Sequence, residues 1–457
     1  MLDVLRFIFT ICVGLIAVRA NAQSFKLLRY DENYAGLKDS VLHGYNRIKF
    51  IPLSAGKQVY LSFGGGARVE YVSFQNEDWG ETDIGHNDFF LQRYDLHGDL
   101  HIGRGLRLFV QLRSALENGR KEGPGPTDED KLNIQNLFID VSIWQHRNSS
   151  LKLRAGRQEI DYGSGRLISV REVPNARLYF TGLKIMYTHR NLSVDGFALM
   201  ADTTYTGVFD NEPTKEINLW GIYSRMPVAE AGNLELYYLG IHRDRSVFEE
   251  GAERENRHTI GSRLWKSGGG FIYNLEAAYQ AGSYGRGSIN AWTASADVGY
   301  SFIHSKLKPA INVRNDYISG DKHAGDGKLQ TFNPLYPRGG YFGFNSQIGP
   351  ANLIDLHPYG TLQLARKFLF QAEAVFHWRY SLNDGIYRPG GNFNMAGASS
   401  GKRYIGTAYL VSGVWKVNRF LTLNTGIQYF KPGAFIKDLI PGAKDGLFIN
   451  SRLDCRF

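Results

Sequence analysis

Residues 106–113 read Leu-Arg-Leu-Phe-Val-Gln-Leu-Arg, and their alternation decides the fold. Every even-numbered position is apolar, whereas the odd-numbered positions carry two arginines, a glutamine and Phe109. Successive side chains of an extended chain point to opposite faces, so a period of two marks a strand whose two faces meet different environments. The stretch therefore predicts a β-strand with one apolar face and one polar face.

The same alternation recurs along most of the chain. Residues 135–144 and 370–380 repeat it clearly, and further segments bring the total to about 18 predicted strands. Stretches rich in Gly, Pro and charge separate the strands, and we expect the long ones to be extracellular because outer-membrane barrels keep their periplasmic turns short. These stretches are residues 118–131, 244–257, 319–328 and 384–402.

Composition indicates the same architecture. The chain holds 52 Gly, 26 Tyr and 28 Phe against 5 Met, which favours many strands and tight turns over long helices. Aromatic residues cluster near predicted strand ends, as with Trp378 and Tyr380, which is typical of the girdles at membrane interfaces and not of a secreted sandwich or propeller. We predict an all-β, monomeric, transmembrane antiparallel up-and-down barrel.

The two ends of the chain indicate its destination. Residues 1–22 have an apolar run and close on Ala20-Asn21-Ala22, the pattern of a secretory signal peptide, so residues 23–457 are predicted to form a single barrel domain. The last predicted strand ends on Phe457, which resembles the signal read by the barrel-assembly machinery. We expect the protein in the outer membrane of a Gram-negative bacterium, with outer-membrane lipids and that machinery as partners.

Two blocks of sequence carry a family resemblance. Residues 153–177 read Leu-Arg-Ala-Gly-Arg-Gln-Glu-Ile-Asp-Tyr-Gly-Ser-Gly-Arg-Leu-Ile-Ser-Val-Arg-Glu-Val-Pro-Asn-Ala-Arg, and residues 332–337 read Phe-Asn-Pro-Leu-Tyr-Pro. Both resemble the alginate export family of outer-membrane porins. The chain departs from that pattern at Phe180-Thr181-Gly182, where an Asp precedes the Gly in the family, and at residues 338–340, Arg-Gly-Gly, where members more often have Thr-Gly-His. The resemblance implies an 18-stranded barrel with an arginine-rich constriction for a polyuronate such as alginate.

Charge is consistent with an anion pathway. The formal charge of +9 becomes +8 when Arg6, Arg19 and Asp3 leave with the signal peptide (9 − 2 + 1). Arginine suits a carboxylate because its planar fork makes two parallel hydrogen bonds and stays charged. Five arginines between residues 154 and 177, interrupted by glycines, indicate a constriction or an infolded loop. We predict that the pore is lined by Arg93, Arg107, Arg113, Arg154, Arg157, Arg166, Arg171, Arg177, Lys184, Arg314, Arg379 and Arg452, with Asp140, Glu159 and Glu373 as acidic residues among them.

These features predict a passive, anion-selective porin for an acidic polysaccharide or its oligomers, with periplasmic secretion components as further partners. One alternative is a general or small-solute uptake porin, since any porin lumen contains arginines paired with acids. Another is an outer-membrane barrel enzyme, although we find no nucleophile with a base and expect no catalytic residues. Asp95, His97, Asp99 and His101 share one strand face, but same-face neighbours about 7 Å apart are too dispersed for one ion. We expect no metal, no cofactor and no nucleic-acid partner.

Overall fold

The computed structural model describes residues 25–82, 84–345 and 347–457, so the predicted signal peptide lies outside the described residues. Eighteen antiparallel strands form one sheet, which closes because the first strand pairs with the last, with Arg68 opposite Asp454. The predicted fold class is confirmed. The barrel strands are β1 (Val59–Gln75), β2 (His86–Ile102), β3 (Leu106–Asn118), β4 (Asp130–His146), β5 (Ser149–Gln158), β6 (Phe180–His189), β7 (Leu192–Thr203), β8 (Glu212–Pro227), β9 (Asn233–Phe248), β10 (Gly251–Lys266), β11 (Gly270–Tyr284), β12 (Gly287–Ser301), β13 (Ala310–Ile318), β14 (Leu353–Ala365), β15 (Phe368–Arg379), β16 (Tyr404–Lys416), β17 (Leu421–Pro432) and β18 (Gly446–Arg456).

Helices and minor strands are few. In the described part of the chain, two α-helices, α1 (Tyr45–Lys49) and α2 (Ala434–Leu439), accompany short 3-10 turns at Arg29–Asp31, Ala35–Asp39, Glu77–Gly80 and Ala229–Ala231. Among the described residues, none of the helices has the length and apolar character to cross a bilayer. Short strands lie at Ile51–Pro52, Lys328–Leu329, Ile386–Tyr387 and Phe393–Met395.

The outer face of the barrel is apolar. In β4, Ile139 and Ile143 are 45% and 57% exposed, whereas Phe138 and Asp140 on the opposite face are buried inside the barrel. Exposed aliphatic side chains cost free energy in water and none in lipid, so this face meets the bilayer. Exposed aromatic side chains form girdles at both edges of this belt: Tyr71, Phe90, Tyr279, Trp292, Tyr317, Tyr409 and Tyr429 at one edge, and Phe63, Trp144, Phe271, Tyr300 and Trp415 at the other.

Connection lengths differ between the two ends of the barrel. One end has short turns such as residues 147–148 and 190–191, and we assign it to the periplasm. The other end has long loops, of which loop 3 (residues 159–179), loop 7 (319–352) and loop 8 (380–403) are the longest. The predicted loops at 319–328 and 384–402 are parts of loops 7 and 8, and the predicted loop at 118–131 matches residues 119–129.

The predicted loop at residues 244–257 is wrong. Strands β9 and β10 continue through this region and meet at Phe248 and Gly251, so only residues 249–250 connect them. Of the charges in this region, Glu255 and Arg257 are buried on the luminal face, with Arg243 opposite Glu255, whereas Asp244 and Arg254 are exposed and pair with each other. A strand in a water-filled barrel can carry charge on its inner face without ending.

The lumen is filled by loops and by the N-terminal segment. Loops 3 and 7 pair through their backbones, since Ser169 N donates to Tyr336 O at 2.9 Å and Tyr336 N donates to Leu167 O at 2.8 Å. Their apolar side chains, with those of loop 8, form the main buried core inside the barrel. Residues 25–50 enter from the periplasmic end, and the ring of Tyr30 packs edge-on against Phe109 and Phe138.

The assignment of faces can be tested with a pair of arginine substitutions in β4. Ile139→Arg places a charge in the lipid belt and should lower the free energy of unfolding by about 2–4 kcal/mol. Ser142→Arg, on the luminal face of the same strand, should lower it by less than about 1 kcal/mol. Urea unfolding from lipid vesicles, followed by tryptophan fluorescence, measures both. Equal losses for the two variants would contradict the assignment.

Candidate functional site

Loop 3 carries one carboxylate into a group of arginines. Glu172 contacts Arg68 of β1, and its oxygens lie 3.3 Å from Nη1 of Arg93 and 2.9 Å from Nη1 of Arg177. Arg456 of β18 approaches Glu172 to 3.5 Å. Two of these arginines come from the strands that close the barrel, so the cluster assembles only in the closed sheet. We call these four arginines and Glu172 the arginine cluster.

The arginine cluster determines the ionisation of its carboxylate. Burial alone raises the pKa of Glu172, but the positive charges of Arg177, Arg68 and Arg93 outweigh burial and hold the pKa well below its usual range. Glu172 is therefore a carboxylate at any pH that the outer membrane meets. Its side chain keeps 24% of its surface exposed, against 5% for Arg68 and 3% for Arg93.

Hydrogen bonds from side chains to backbone carbonyls hold loop 3 against the barrel wall. Asn175 Nδ2 lies 3.0 Å from the carbonyl oxygens of Gln92 and Leu116 and 2.9 Å from that of Asp128. Arg93 Nε donates to the carbonyl of Asn175 at 2.8 Å. The loop is thus fixed both by its backbone and by Glu172, which makes it a permanent constriction across the lumen.

Most predicted pore residues lie on the luminal face and are paired with acids. Arg107 Nε lies 2.7 Å from Asp99, and Arg154 Nε lies 2.7 Å from Asp140. Each pair neutralises part of the wall, so the number of luminal arginines overstates the free positive charge. The other predicted residues with ion-pair partners are Arg93 with Glu172, Arg113 with Asp95 and Glu159, Arg177 with Glu159 and Glu172, Arg166 with Asp316, Lys184 with Asp195, Arg314 with Asp297, Arg452 with Asp454, and Glu373 with His357.

Arg157 does not line the pore, contrary to the prediction. It lies opposite Leu137, which is exposed on the outer face, and pairs with Asp202 at 2.7 Å under residues 204–211. The reason is the period of two, because Arg154 and Arg157 are three positions apart in one strand and cannot share a face. Arg157 anchors the extracellular rim instead.

Arg379, Arg166 and Glu159 are inside the barrel but covered by loops. Arg379 is fully buried and donates to loop 8 carbonyls, including that of Gly397 at 2.8 Å and that of Asp384 at 3.1 Å. Arg166 and Glu159 are 3% and 1% exposed. These three residues fix loops in the lumen and are covered by them.

Three cavities follow one another alongside loop 3. The extracellular chamber, of about 540 Å³, shares Val173 and Gly340 with a middle cavity of about 540 Å³. The middle cavity shares Asp161 and Gly163 with a periplasmic chamber of about 370 Å³. Together they trace a path through the barrel that loop 3 narrows. Of the predicted residues, Arg171 and Arg452 line the extracellular chamber, Arg154 and Lys184 line the periplasmic one, and Arg93, Arg113 and Arg177 line a small cavity beside the arginine cluster.

Three arginines on this path, Arg171, Arg338 and the exposed Arg225 of β8, have no acidic partner among the described residues. Arg171 of loop 3 and Arg338 of loop 7 form no salt bridge with any described residue, and Arg338 lies over the ring of Tyr341 at 5.5 Å. Burial lowers the pKa of Arg171 to about 10, which leaves it charged at neutral pH. The sequence analysis missed Arg338 as a pore residue, although its place at the departure from the family's Thr-Gly-His was the available signal.

The row of Asp95, His97, Asp99 and His101 lies on the luminal face of β2. Asp99 bonds both Arg107 and His101, which lies 3.1 Å away, and Asp95 bonds Arg113. Within the described ranges, no group of three or more His, Cys, Asp or Glu residues is arranged to hold a metal ion. Asp95, Asp99 and His101 of this row therefore take part in the ion pairs of the barrel wall.

Comparison with known proteins identifies the lineage of this barrel. The family model described as alginate export matches residues 59–449, from the first barrel strand into the last. The chain belongs to the alginate export family. Among curated proteins, none matches it.

Solved structures of outer-membrane channels share the fold of this alginate export family member. OccAB1 of Acinetobacter baumannii aligns with a TM-score of 0.60 at 10% identity, over 91% of this chain and 99% of that one. OccD3 (OpdP) of Pseudomonas aeruginosa aligns with a TM-score of 0.57 at 12% identity, over 90% and 94%. OpdK of Pseudomonas aeruginosa, solved with vanillate, aligns with a TM-score of 0.55 at 9% identity, over 86% and 98%. The family and these neighbours establish an outer-membrane porin.

The stabilisation of loop 3 by Glu172 should decrease as the pH falls. A carboxyl whose folded pKa is lowered stabilises the fold above its unfolded pKa, and this stabilisation is lost as the pH falls through the folded value. Protection of residues 159–179 from hydrogen exchange, relative to the intrinsic rate at each pH, should therefore be full at pH 7, fall progressively below the usual glutamate pKa and be lost in stronger acid. Glu172→Gln should exchange faster at pH 7. An unchanged exchange rate in the variant would show that the backbone bonds alone hold the loop.

The packing of Tyr30 predicts that the N-terminal segment narrows the periplasmic mouth. Tyr30 is 4% exposed, and its hydroxyl donates to the carbonyl of Glu159 at 2.5 Å. Replacing a large buried aromatic residue by Ala lowers stability by about 3–5 kcal/mol, so Tyr30→Ala should release the N-terminal segment from the lumen. Single-channel conductance should rise in this variant. Tyr205→Ala, at an exposed residue of the loop between β7 and β8, is the control and should conduct like the wild type.

Proposed function

We propose that this porin is anion-selective and passes acidic sugars, as uronate monomers or short oligomers of an alginate-like polyuronate. The observation that carries the proposal is that Arg171 and Arg338 line successive cavities of the lumen and have no acidic partner among the described residues. Unpaired positive charge in a narrow, low-dielectric passage raises the local concentration of anions and speeds their entry. The concentration gradient of the solute is the only driving force for its passage.

The arginine cluster illustrates the chemistry that a uronate would use. Glu172 presents a carboxylate to guanidinium groups from β1, β2, β18 and loop 3 itself. A sugar carboxylate passing beside loop 3 meets a further guanidinium at Arg338 in the middle cavity, and the ammonium of Lys184, paired with Asp195, lines the periplasmic chamber. Acidic residues such as Asp161 and Asp195 line the same path, which keeps binding weak enough for release.

Cavity size favours short solutes over a moving polymer. Each of the three cavities has the volume of an ordinary small-molecule site, and loop 3 separates them. The same observation supports a second candidate function, a small-solute uptake porin for carboxylates other than uronates. OpdK, which has the same fold, was solved with the small carboxylate vanillate. The two candidates differ in whether uronate oligomers bind in the channel.

Partners follow from this proposal and from the fold. The outer belt fits outer-membrane lipids, and the luminal arginines fit an anionic polysaccharide or oligosaccharide as solute. Export of a polymer would require periplasmic secretion components at the turn end of the barrel. The proposal assigns no chemical reaction to the lumen.

Single-channel recording in a planar bilayer tests the proposal. Under a tenfold KCl gradient the reversal potential should show anion preference, and added oligomers of glucuronate should block the current in proportion to concentration. Arg338→Gln should shift the reversal potential toward zero and raise the blocking concentration several-fold, because it removes an unpaired luminal charge.

The control for this experiment removes an equal charge outside the lumen. Arg104 lies exposed in the periplasmic turn between β2 and β3, and Arg104→Gln should leave the reversal potential and the block unchanged. Cation preference in the wild type would defeat the proposal. Anion preference without block by uronate oligomers would favour the small-solute candidate.

A further inference from the structure

The luminal face changes from polar to apolar at the extracellular chamber. Three luminal residues of the adjacent strands β1, β2 and β18, namely Val72, Leu91 and Phe448, are apolar, and two positions closer to the periplasm the same faces carry Glu70, Arg93 and Asn450. Phe89 of β2 and Phe344 of loop 7 complete an apolar surface. We call Val72, Phe89, Leu91, Phe344 and Phe448 the apolar wall.

An apolar wall inside a porin needs a physical reason. Luminal residues face water, so burying apolar side chains there gains nothing for the barrel unless another apolar group covers them. Val72, Phe89, Leu91 and Phe448 are only 3–8% exposed, yet these residues and Phe344 all line the chamber of about 540 Å³. A chamber of this size bounded by aromatic and aliphatic side chains matches the usual form of a small-molecule site.

Arg171 supplies the polar end of this chamber. Its Nε donates to the carbonyl of Pro337 at 3.3 Å, and its two terminal nitrogens make no hydrogen bond with the described part of the chain. The backbone of Arg171 has φ of 52°, a left-handed conformation that is strained for an L-residue and is often found at functional positions. The strained backbone holds the guanidinium beside Gly390, at the edge of the chamber.

The other charges that line the chamber are already engaged. Asp128 pairs with Arg120 at 3.2 Å, and Arg452 pairs with Asp454 at 3.1 Å. Glu70 accepts a hydrogen bond from Asn450 Nδ2 at 2.7 Å. Arg171 is thus the one lining cation of this chamber, among the residues described, that has no salt-bridge partner.

We propose that the extracellular chamber binds a small amphipathic monocarboxylate, with its apolar ring or chain on the apolar wall and its carboxylate on Arg171. Such a ligand satisfies both ends of the chamber at once, whereas a uronate has hydroxyl groups around its ring and leaves the wall uncovered. The inference rests on the proposed function only in that solutes enter the barrel. It adds a chemical class that the charged path alone does not indicate.

Calorimetric titration of the full barrel in lipid nanodiscs tests this site without requiring ionic current. The probes are 3-phenylpropionate, the uncharged 3-phenylpropan-1-ol, and glucuronate, each corrected for partitioning into protein-free nanodiscs. We expect 3-phenylpropionate to bind about tenfold more tightly than either of the other two, since each lacks one of the two contacts. Equal binding by the alcohol would exclude the role of Arg171, and equal binding by glucuronate would exclude that of the apolar wall; either result overturns the proposal.

Substitutions locate the binding. Arg171→Gln should weaken 3-phenylpropionate about tenfold, Arg171→Lys should recover part of that loss, and Leu91→Asn should weaken it without affecting glucuronate. Arg388→Gln removes a nearby loop charge that pairs with Asp78 outside the chamber and should change nothing. Unchanged binding in both Arg171→Gln and Leu91→Asn would overturn the proposal, provided that both variants keep the heat-modifiable mobility of a folded barrel.

The outcomes separate this inference from the proposed function. Tight binding of 3-phenylpropionate together with cation preference in the bilayer would defeat the proposed function and leave the chamber site standing. Block by uronate oligomers without any binding of 3-phenylpropionate would do the reverse.

Discussion

Closure of the sheet between β1 and β18 is the constraint on which the rest of the structure depends. Backbone N–H and C=O groups cannot remain unpaired in lipid, so a sheet in a bilayer must have no free edge. The ladder from Gly66 opposite Arg456 to Gln75 opposite Leu447 removes that edge. Closure also fixes the two faces, because a period of two then assigns every strand residue either to lipid or to the lumen. The arginine cluster is a direct result, since Arg68 and Arg456 become neighbours only across this seam.

The lumen is organised by a second principle, the pairing of wall arginines with loops. Arg379 binds carbonyl groups of loop 8, and Arg93 binds those of loop 3 and its Glu172. A guanidinium has five donors in a planar fork, so one side chain can hold several turns of an irregular loop whose carbonyls would otherwise be buried without partners. Positive charge in this barrel therefore has two uses. Paired arginines build the constriction, and unpaired ones such as Arg171 and Arg338 remain available to solutes.

Sequence reasoning predicted what depends on periodicity. The faces of β3 and β18 follow from alternation alone, and the pairing of Arg107 with Asp99 and Arg113 with Asp95 agrees with their positions. It failed where the period is interrupted or the contact is distant. Arg157 was assigned to the lumen because a count of arginines ignored its parity with Arg154. The docking of residues 25–50 in the lumen depends on contacts such as Tyr30 with Phe138, which have no local signature.

The contacts of Arg29 with the barrel depend on closure of the sheet. Arg29 Nη1 donates to the carbonyl of Gly65 in β1 at 3.0 Å, and its Nη2 donates to the carbonyl of Phe457, the last residue, at 2.8 Å. Both acceptors face one guanidinium only when the first and last strands are already side by side. The full set of Arg29 contacts is therefore available only in the closed barrel. The docked position of the N-terminal segment thus distinguishes a closed barrel from an open sheet.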